Sequence, residues 1–297
     1  MSTTIDGERI ASELRTDLGE AIETLADHDV TPGLATVLVG DDPASETYVN
    51  MKQRDCEEVG INGIHVDIAR DASPEELYET IEELNTDPEV HGYLVQDPVP
   101  EQIEYKEVIR RISPKKDVDG FHPENVGRLV AGDARFKPCT PHGIQKLLDA
   151  YDIETEGADV TIVGRSSIVG KPMANLLMQK NRGGNATVTV CHSRTTDLAE
   201  KTRRADIVIA ASGVTELIDG SMLSGDTTVI DVGISRVEAE NEKGYELVGD
   251  VAFESASEKA SAITPVPGGV GPMTRAMLLY NTVMAASESE GVPVELP

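Results

Sequence analysis

A repeated alternation of short apolar runs with segments of helical periodicity is the feature of this sequence that most restricts its fold. The apolar runs predict strands at residues 34–39, 64–68, 92–96, 160–163, 187–191, 207–211 and 229–232. The most apolar of these runs, such as 34–39, are typical of strands that are buried on both faces. Neighbouring parallel strands need a crossover connection, which is usually a helix. The alternation therefore predicts an α/β fold with mostly parallel sheets.

Residues at helical spacing fill the intervals between these strands. They predict helices at about 5–25, 45–59, 74–84, 105–112, 141–151, 169–180, 197–204 and 273–289. The clearest helix start is Ser73-Pro74-Glu75-Glu76, which offers a capping Ser, a Pro at the first helical position and acids in the first turn. These helices supply the crossovers that a parallel sheet requires.

The alternation occurs twice, and 297 residues suit two domains of ordinary size. We expect an N-terminal α/β domain at 1–120, joined by 274–297 because the last helix would pack back on it. Residues 140–273 should form a Rossmann-like, doubly wound parallel sheet. Residues 121–139 would be the linker.

The charge balance excludes several partner classes. The chain has 53 acidic and 26 basic residues, a net charge of −27, which repels nucleic acid and anionic membranes. Two explanations remain open: an ordinary acidic enzyme, or a protein adapted to a salty cytosol. The scarcity of Lys and the scattering of the carboxylates along the chain favour salt adaptation.

Cysteine usage and the N-terminus indicate where the protein works. Cys56, Cys139 and Cys191 are odd in number and far apart, so neither disulfides nor a metal site is expected. No apolar run approaches the length of a membrane span, and the N-terminus does not resemble a secretion signal. These features predict a cytoplasmic protein.

A glycine-rich loop follows the predicted strand at 160–163. Gly164-Arg165-Ser166-Ser167-Ile168-Val169-Gly170 resembles a dinucleotide-binding turn, although Ser166 replaces the second Gly and the last Gly falls one residue late. Gly164 permits a tight turn, and the helix start offers N–H groups to a pyrophosphate. The alternative is that this loop is only structural.

The end of the next strand indicates which dinucleotide binds. An NAD enzyme usually places an acid there for the ribose 2′-hydroxyl, but this chain has His192-Ser193-Arg194-Thr195. Arg165, Ser193 and Arg194 could instead meet a 2′-phosphate, so the sequence favours NADP over NAD. An ordinary solvated loop is the alternative.

Six segments, in order along nearly the whole chain, resemble one known family. They are Tyr48 to Lys52, Gly92 to Pro100, Lys116 to Gly120, Pro138 to Pro141, Gly164 to Pro172 and Thr264 to Thr274. The chain is thereby similar to the bifunctional methylenetetrahydrofolate dehydrogenase/cyclohydrolases. The resemblance implies NADP-dependent oxidation of 5,10-methylenetetrahydrofolate, hydrolysis of the product to 10-formyltetrahydrofolate in one-carbon metabolism, and a homodimer formed through the second domain.

The resemblance also implies that the N-terminal α/β domain is the catalytic domain, that the active-site cleft lies between the two domains, and that Lys52, Gln96 and Asp119 are the catalytic residues. Tyr48 would stack on the folate, and Lys52, one helical turn later, would transfer protons. Gln96 would hydrogen-bond Lys52 and the substrate, while Asp119 would grip the pterin ring. A Lys acts as a base only if its pKa is lowered, so we expect Lys52 to be partly buried. Without the resemblance, this Tyr and Lys would be an ordinary surface pair.

Further binding residues follow from the same resemblance. The folate would contact Val95, Asp97 and the segment Pro267, Gly268, Gly269, Val270 and Gly271, and the dinucleotide would also contact Ile234. The Pro- and Gly-rich segment could equally be a rigid hinge. Asp97 departs from the family, which usually has an apolar residue at that position. Its carboxylate could raise the pKa of Lys52 or simply face solvent.

Two other functions stay open at this stage. Asp97 leaves room for a dehydrogenase without cyclohydrolase activity. A non-catalytic dinucleotide-binding protein would be favoured only if Lys52, Gln96 and Asp119 failed to converge.

Overall fold

The structure is a computed structural model that describes residues 2–241 and 244–297. Strands occur in both halves of the chain. They are β1 (Thr3–Thr4), β2 (Gly33–Val39), β3 (Asn62–Ile68), β4 (Gly92–Val95), β5 (Asp159–Val163), β6 (Thr187–Cys191), β7 (Ile207–Ala210), β8 (Thr228–Asp231), β9 (Ser235–Glu238), β10 (Tyr245–Val248) and β11 (Ala262–Ile263). All seven predicted strands are present, with ends that differ by at most two residues.

The helices alternate with these strands. They are α1 (Gly7–Ala26), α2 (Pro43–Val59), α3 (Pro74–Thr86), α4 (Tyr105–Arg111), α5 (Pro123–Ala131), α6 (Cys139–Ala150), α7 (Gly170–Leu177), α8 (Leu198–Arg203), α9 (Phe253–Ser257) and α10 (Val270–Glu290). The helix start at Ser73 is confirmed. The Ser73 hydroxyl accepts the Glu76 N–H, and the Glu76 carboxylate accepts the Ser73 N–H. No helix of the described residues is long and apolar enough to cross a membrane.

The chain divides into two compact units. The six-stranded unit comprises Met1–Ala11 and Thr140–Thr274, and the three-stranded unit comprises Ser12–Cys139 and Arg275–Pro297. Two segments group differently from our expectation. The N-terminal residues join the six-stranded unit because β1 pairs with β11. Residues 121–139, expected as a linker, contain α5 and group with the three-stranded unit.

The three-stranded unit is built on a parallel sheet in the order β3-β2-β4. Every residue of the central strand β2 is buried, as its unbroken apolar sequence predicts. The chain runs from β2 to β3 on one side and returns to β4 on the other. The order of the strands therefore reverses next to β2, and this is the point where open α/β sheets usually bind ligands.

The six-stranded unit contains a fully parallel sheet in the order β1-β11-β8-β7-β5-β6. Strand β6 lies on one side of β5, and the chain then crosses to β7 on the other side. The reversal point of this sheet is thus at the ends of β5 and β7. The doubly wound parallel fold predicted for this half is confirmed.

The elements that the sequence did not reveal are short or polar. Strands β9 and β10 form a separate antiparallel pair whose residues are exposed or half-buried. Helix α5 spans only nine residues, and it begins where the buried Asp117 carboxylate accepts the N–H groups of Phe121 and His122. Neither element has a long apolar period, so contacts with distant residues determine them.

Asn85 should be a stabilising hub of the three-stranded unit. Its Oδ1 accepts the Tyr93 hydroxyl and the Ser113 N–H, both at 2.7 Å, and its Nδ2 donates to the Arg111 carbonyl at 2.8 Å. Asn85→Ala should lower the free energy of unfolding by about 2 kcal/mol because it leaves several polar groups without partners. Urea unfolding measures this. Thr86→Ala, one residue later and exposed, is the control and should cost less than about 0.5 kcal/mol; equal losses would contradict the role of Asn85.

Candidate active site

Lys52 and Gln96 meet at the reversal point of the three-stranded sheet. Lys52 lies on α2, and Gln96 is the first residue after β4. The Lys52 Nζ donates to the Gln96 Oε1 at 3.0 Å, and the Gln96 N–H donates to the Val37 carbonyl at 2.8 Å. The backbone bond continues the sheet by one residue and so fixes where the Gln96 side chain begins. Two residues that are 44 positions apart in sequence thus form one polar pair.

Helix α2 sets the position of Lys52. Its first turn is capped by Asp42, whose carboxylate accepts the Ser45 N–H at 2.8 Å, and it ends at Gly60 in the left-handed conformation. Val49 and Cys56 are buried along one side of the helix. Tyr48 lies one turn before Lys52 and is 37% exposed. Both side chains of the predicted pair are therefore available to a ligand.

Lys52 is half-buried, and its surroundings change its acidity. Burial lowers the pKa of Lys52 from its usual value, because the protonated amine loses hydration. The carboxylate of Asp119 partly opposes this shift by favouring the charged amine. This is the environment that a lysine needs to exchange protons near neutral pH.

The segment before Asp119 runs alongside β4. The Tyr93 N–H donates to the Lys116 carbonyl at 3.0 Å, and Tyr93 and Asp117 form a parallel bridge. Asp119 lies in the tight turn that follows, in which the Gly120 N–H donates to the Asp117 carbonyl at 3.0 Å. From this turn the charge of Asp119 acts on Lys52.

Asp117 and Asp119 have different surroundings. Asp117 accepts the Phe121 and His122 N–H groups and the Asn125 side-chain amide, so it orders the following turn. Burial raises the pKa of Asp117 to about 7. Asp119 is half-buried, and burial raises its pKa too, while the positive charge of Lys52 opposes the rise. Of the two acids, Asp119 is the one that faces Lys52.

Asp97 and Val95 flank Gln96. Asp97 is exposed, and its backbone carbonyl accepts the Gln96 Nε2 at 2.7 Å. Partial loss of hydration raises the pKa of Asp97, but its carboxylate is not among the described groups that shift Lys52. Asp97 thus faces solvent, the second of its two expected situations. Val95 is buried, and its carbonyl accepts the Tyr105 hydroxyl at 3.4 Å.

Gly164 occupies the reversal point of the six-stranded sheet. It directly follows β5, and its φ of 138° is strained for any residue with a side chain. A Cβ on Gly164 would lie 2.0 Å from the carbonyl oxygen of Ala211, the residue after β7. Glycine is therefore required for the two strand ends to approach each other, and this close approach is the cradle that dinucleotide-binding turns need.

Ser166 changes one expectation about this loop. Its hydroxyl accepts the N–H groups of Val169 at 3.1 Å and Gly170 at 3.4 Å, and its carbonyl accepts the Lys171 N–H at 3.0 Å. The prediction that the start of α7 offers free N–H groups to a pyrophosphate is therefore wrong for these three residues. Ser166 stands in a glycine position and caps the helix itself.

The other predicted dinucleotide contacts are exposed at this sheet edge. Arg165 follows β5, and Ser193 and Arg194 follow the adjacent strand β6. The Gly164 N–H donates to the Cys191 carbonyl at 2.9 Å, which ties the two strand ends together. Ile234 follows β8 and is 50% exposed. The two arginines thus lie on neighbouring strand ends, as binding of one phosphate requires.

The segment Pro267–Gly271 lies at the start of two helices. The Gly268 carbonyl accepts the N–H groups of Gly7 and Glu8, the first residues of α1, at 2.9 and 3.1 Å. A Cβ on Gly7 would lie 1.8 Å from the Gly269 carbonyl oxygen, so the two backbones are in direct contact. Val270 and Gly271 begin α10. The segment is ordered by these contacts, and Pro267 and Gly271 are exposed.

Comparison with known proteins identifies the family. Residues 5–119 match the model of the tetrahydrofolate dehydrogenase/cyclohydrolase catalytic domain, and residues 138–290 match the model of the NAD(P)-binding domain of the same family. The chain belongs to the tetrahydrofolate dehydrogenase/cyclohydrolase family. The six-stranded unit is therefore mostly the NAD(P)-binding domain of this family, and the three-stranded unit is mostly its catalytic domain.

Individual relatives cover the whole chain. The bifunctional protein FolD of Natronomonas pharaonis is 71% identical over all 297 residues of both chains, and that of Halobacterium salinarum is 64% identical over the same length. Both organisms are halophilic archaea, which agrees with the salt adaptation predicted from composition. The Campylobacter jejuni bifunctional enzyme has a TM-score of 0.92 and 46% identity, and covers 97% of this chain and 100% of its own.

A family structure with a bound dinucleotide is also similar. The Trypanosoma brucei methylenetetrahydrofolate dehydrogenase-cyclohydrolase, solved with NADP and an inhibitor, has a TM-score of 0.92 and 36% identity. The alignment covers 97% of this chain and 98% of that one. This likeness agrees with the family assignment made from the domain models.

The sequence did not reveal two residues near Lys52. The thiol of the buried Cys139 donates to the Val118 carbonyl at 3.5 Å, next to Asp119, and Arg275 lowers the pKa of Lys52 by its positive charge. The signal for Arg275 was present, since it is the one cation in the sequence of α10. A single charge among apolar residues of a helix indicates a buried partner. Cys139 gave no such signal.

Gly164→Ala should abolish dinucleotide binding. The added methyl group would clash with the Ala211 carbonyl and force the strained φ on an alanine, so the turn after β5 must change shape. Titration of the protein with NADPH, followed by fluorescence, measures the loss. Gly225→Ala is the matched control, because nothing lies within 4 Å of a Cβ there. NADPH affinity at wild-type level in Gly164→Ala would contradict the cradle.

Proposed function

We propose that this protein oxidises 5,10-methylenetetrahydrofolate with NADP and then hydrolyses the resulting methenyl cation to 10-formyltetrahydrofolate. The observation that supports this most is the pairing of a half-buried lysine with Gln96 and Asp119 at one end of a sheet. The family's domain models and the names of the relatives agree with it. The convergence of these three residues disfavours a protein that only binds a dinucleotide.

The substrate would be held by the residues around Lys52. The Asp119 carboxylate can accept two N–H bonds from the aminopyrimidinone edge of the pterin, and the exposed ring of Tyr48 can stack on the folate. Val95, Asp97 and the segment Pro267–Gly271 would complete the folate contacts. These residues act by orientation, so no nucleophilic side chain is needed.

The oxidation step moves a hydride from the methylene carbon of the folate and leaves a methenyl cation. Bound NADP supplies the hydride acceptor. Gly164, Arg165, Ser166, Ser193, Arg194 and Ile234 would hold it. The residues of the catalytic domain orient the methylene carbon, and the carboxylate of Asp119 favours the positive charge that develops.

The hydrolysis step adds water to the methenyl carbon. Lys52 accepts a proton from the attacking water as the new C–O bond forms, and it returns a proton to the ring nitrogen as the C–N bond breaks. The net reaction consumes one water and releases one proton. Gln96 keeps the Lys52 amine in place through the bond at 3.0 Å.

Lys52→Met should abolish the hydrolysis step, because methionine is similar in length and cannot transfer a proton. We expect the loss of methenyl hydrolysis to be at least 100-fold, on the order of the usual contribution of acid–base catalysis. The measurement is the decay of the methenyl chromophore, corrected for uncatalysed hydrolysis. Lys115→Met, exposed in the same unit, should leave the rate unchanged.

The outcomes separate the candidate functions. Catalysed hydrolysis that survives in Lys52→Met would refute the assigned role of Lys52. If the wild type reduces NADP with methylenetetrahydrofolate but does not hydrolyse the methenyl product, the protein is a dehydrogenase alone, the function that the unusual Asp97 keeps open. If neither reaction occurs while NADPH binds, the protein is a dinucleotide-binding protein.

The preference for NADP should depend on the two exposed arginines. Arg165→Ala and Arg194→Ala should each weaken NADP binding about tenfold, because a charge-assisted bond to the 2′-phosphate is lost. Binding of NAD, which lacks this phosphate, should change little. Calorimetric titration with both dinucleotides measures the difference. Arg182→Ala, which removes an exposed pair with Asp149, is the control; parallel losses for NADP and NAD would exclude recognition of the 2′-phosphate.

Two further parts of the proposal depend on the resemblance to the family. We propose a homodimer formed through the second predicted domain, residues 140–273, and a cytoplasmic location. Sedimentation of the purified protein at high salt tests the first part.

A further inference from the structure

Arg275 and Asp55 form a mostly buried ion pair in the three-stranded unit. The Arg275 Nε donates to the Asp55 Oδ2 at 2.7 Å, and the side chains are 14% and 11% exposed. A second guanidinium nitrogen, Nη1, donates to the Met51 sulfur at 3.4 Å. Arg275 therefore contacts α2 at two points that lie one turn apart.

These two points flank Lys52 along α2. Met51 immediately precedes Lys52 in sequence, and Asp55 follows Lys52 by three residues, so Lys52 and Asp55 are neighbours on the helix surface. The guanidinium is held in one orientation by contacts on both sides of Lys52. Its charge therefore has a fixed position relative to the amine.

A buried ion pair is an expensive way to join two helices. Taking both charges out of water often costs as much as their attraction returns, and apolar residues of similar size pack as well or better. The neighbours of Arg275 along α10 include the buried Ala276, Met277 and Leu278, so an apolar residue would suit this helix. The pair must then be explained by something other than packing.

The groups that face Lys52 come from several elements. Cys56 and Tyr48 lie on α2, Gln96 follows β4, Asp119 lies on the segment beside β4, Cys139 begins α6, and Arg275 lies on α10. Asp119, Cys139 and Cys56 favour the protonated amine, whereas Arg275 disfavours it. Asp55, the partner of Arg275, acts on Cys56. Arg275 thus opposes the groups that favour the charged amine.

We propose that Arg275, held by Asp55 and Met51, is a positioning residue that keeps a fixed cation beside Lys52 and so favours its neutral amine in the hydrolysis step. This inference rests on the proposed function, because it concerns the residue assigned to proton transfer. Asp119 is needed close to Lys52 for the substrate, and its carboxylate favours the protonated amine. Arg275 offsets that effect without touching the substrate.

The charges on the protein surface do not replace the effect of Arg275 on Lys52. The chain has a net charge of −27, which favours protonated amines. Salt screens exposed charges that are farther apart than about 10 Å at 0.1 M ionic strength, and the screening distance is shorter at higher salt. A buried pair in contact with the same helix is screened much less. The effect of Arg275 should therefore persist at the high salt in which such an acidic protein is handled.

The first experiment compares the pH dependence of methenyl hydrolysis in the wild type, Arg275→Val and Arg275→Lys. Hydrolysis activity should rise with pH as Lys52 loses its proton, and this rise is the limb of the pH profile that reports Lys52. We expect Arg275→Val to shift this limb to higher pH by about one unit, so that activity at pH values below the limb is up to about tenfold lower. Arg275→Lys keeps a cation and should retain most of the wild-type position. Arg110→Val, which removes an exposed pair with Glu107, is the control and should not move the limb.

A purely structural role gives a different result. If Arg275 only joined the helices, Arg275→Val would lower the rate by the same factor at every pH. A limb at the wild-type position, or one that moves to lower pH, would overturn the proposal.

The second experiment needs neither substrate nor cofactor. An amine reacts with acetic anhydride only in its neutral form, so the extent of Lys52 acetylation against pH, quantified by mass spectrometry, reports the protonation of Lys52. We expect half-maximal labelling of Lys52 to occur at higher pH in Arg275→Val than in the wild type, while labelling of the exposed Lys115 is unchanged. Identical Lys52 curves would overturn the proposal.

The two experiments distinguish the failure of this inference from the failure of the proposed function. A wild type with no folate activity whose Lys52 labelling still depends on Arg275 would refute the function and leave the effect of Arg275 on Lys52 supported. An active wild type whose Lys52 labelling is independent of Arg275 would refute the inference alone.

Discussion

The partial burial of the Lys52 amine is the constraint on which the rest of the catalytic domain depends. A lysine removed from water binds its proton less tightly, yet it still needs a hydrogen-bond partner, which Gln96 provides at 3.0 Å. The sheet must therefore end next to α2, because Gln96 directly follows β4. The segment containing Asp119 must run beside the same strand. The environment of the Lys52 side chain thus depends on a helix, the end of a strand and a loop.

Both units place their candidate residues where the order of strands reverses. In the three-stranded sheet the reversal lies beside β2, and Gln96 is found there. In the six-stranded sheet it lies between β5 and β7, where Gly164 approaches Ala211 so closely that no side chain fits. Helices on opposite faces leave such points uncovered, so a ligand reaches the strand ends there. The shared topology explains why the Lys52–Gln96 pair and the turn at Gly164 occur at corresponding places in the two sheets.

The regular part of the fold was predictable from the sequence, and so were the residue types of the site. All seven predicted strands and the Ser73 helix start are present, because apolar runs and caps are local signals. Lys52, Gln96 and Asp119 were named from motifs, and their contacts agree with the expected neighbourhood. The short strands β1 and β11 were not predicted, since two-residue strands have no periodicity and form only by pairing with the strands beside them. Strands β9 and β10 were also missed, because their short sequences have no long apolar period.

The sequence by itself determined the fold class, the family and the chemistry of the groups available, because these follow from local pattern and from motif. Only the tertiary structure decided how these groups act on one another. It turned Ser166 into a helix cap, left Asp97 in solvent, made Asp117 a structural acid, and joined Arg275 to Asp55 beside Lys52. Protonation and hydrogen bonding depend on distance and burial. Asp55 and Arg275 are 220 positions apart in sequence, so they are close together and buried only when the chain is folded.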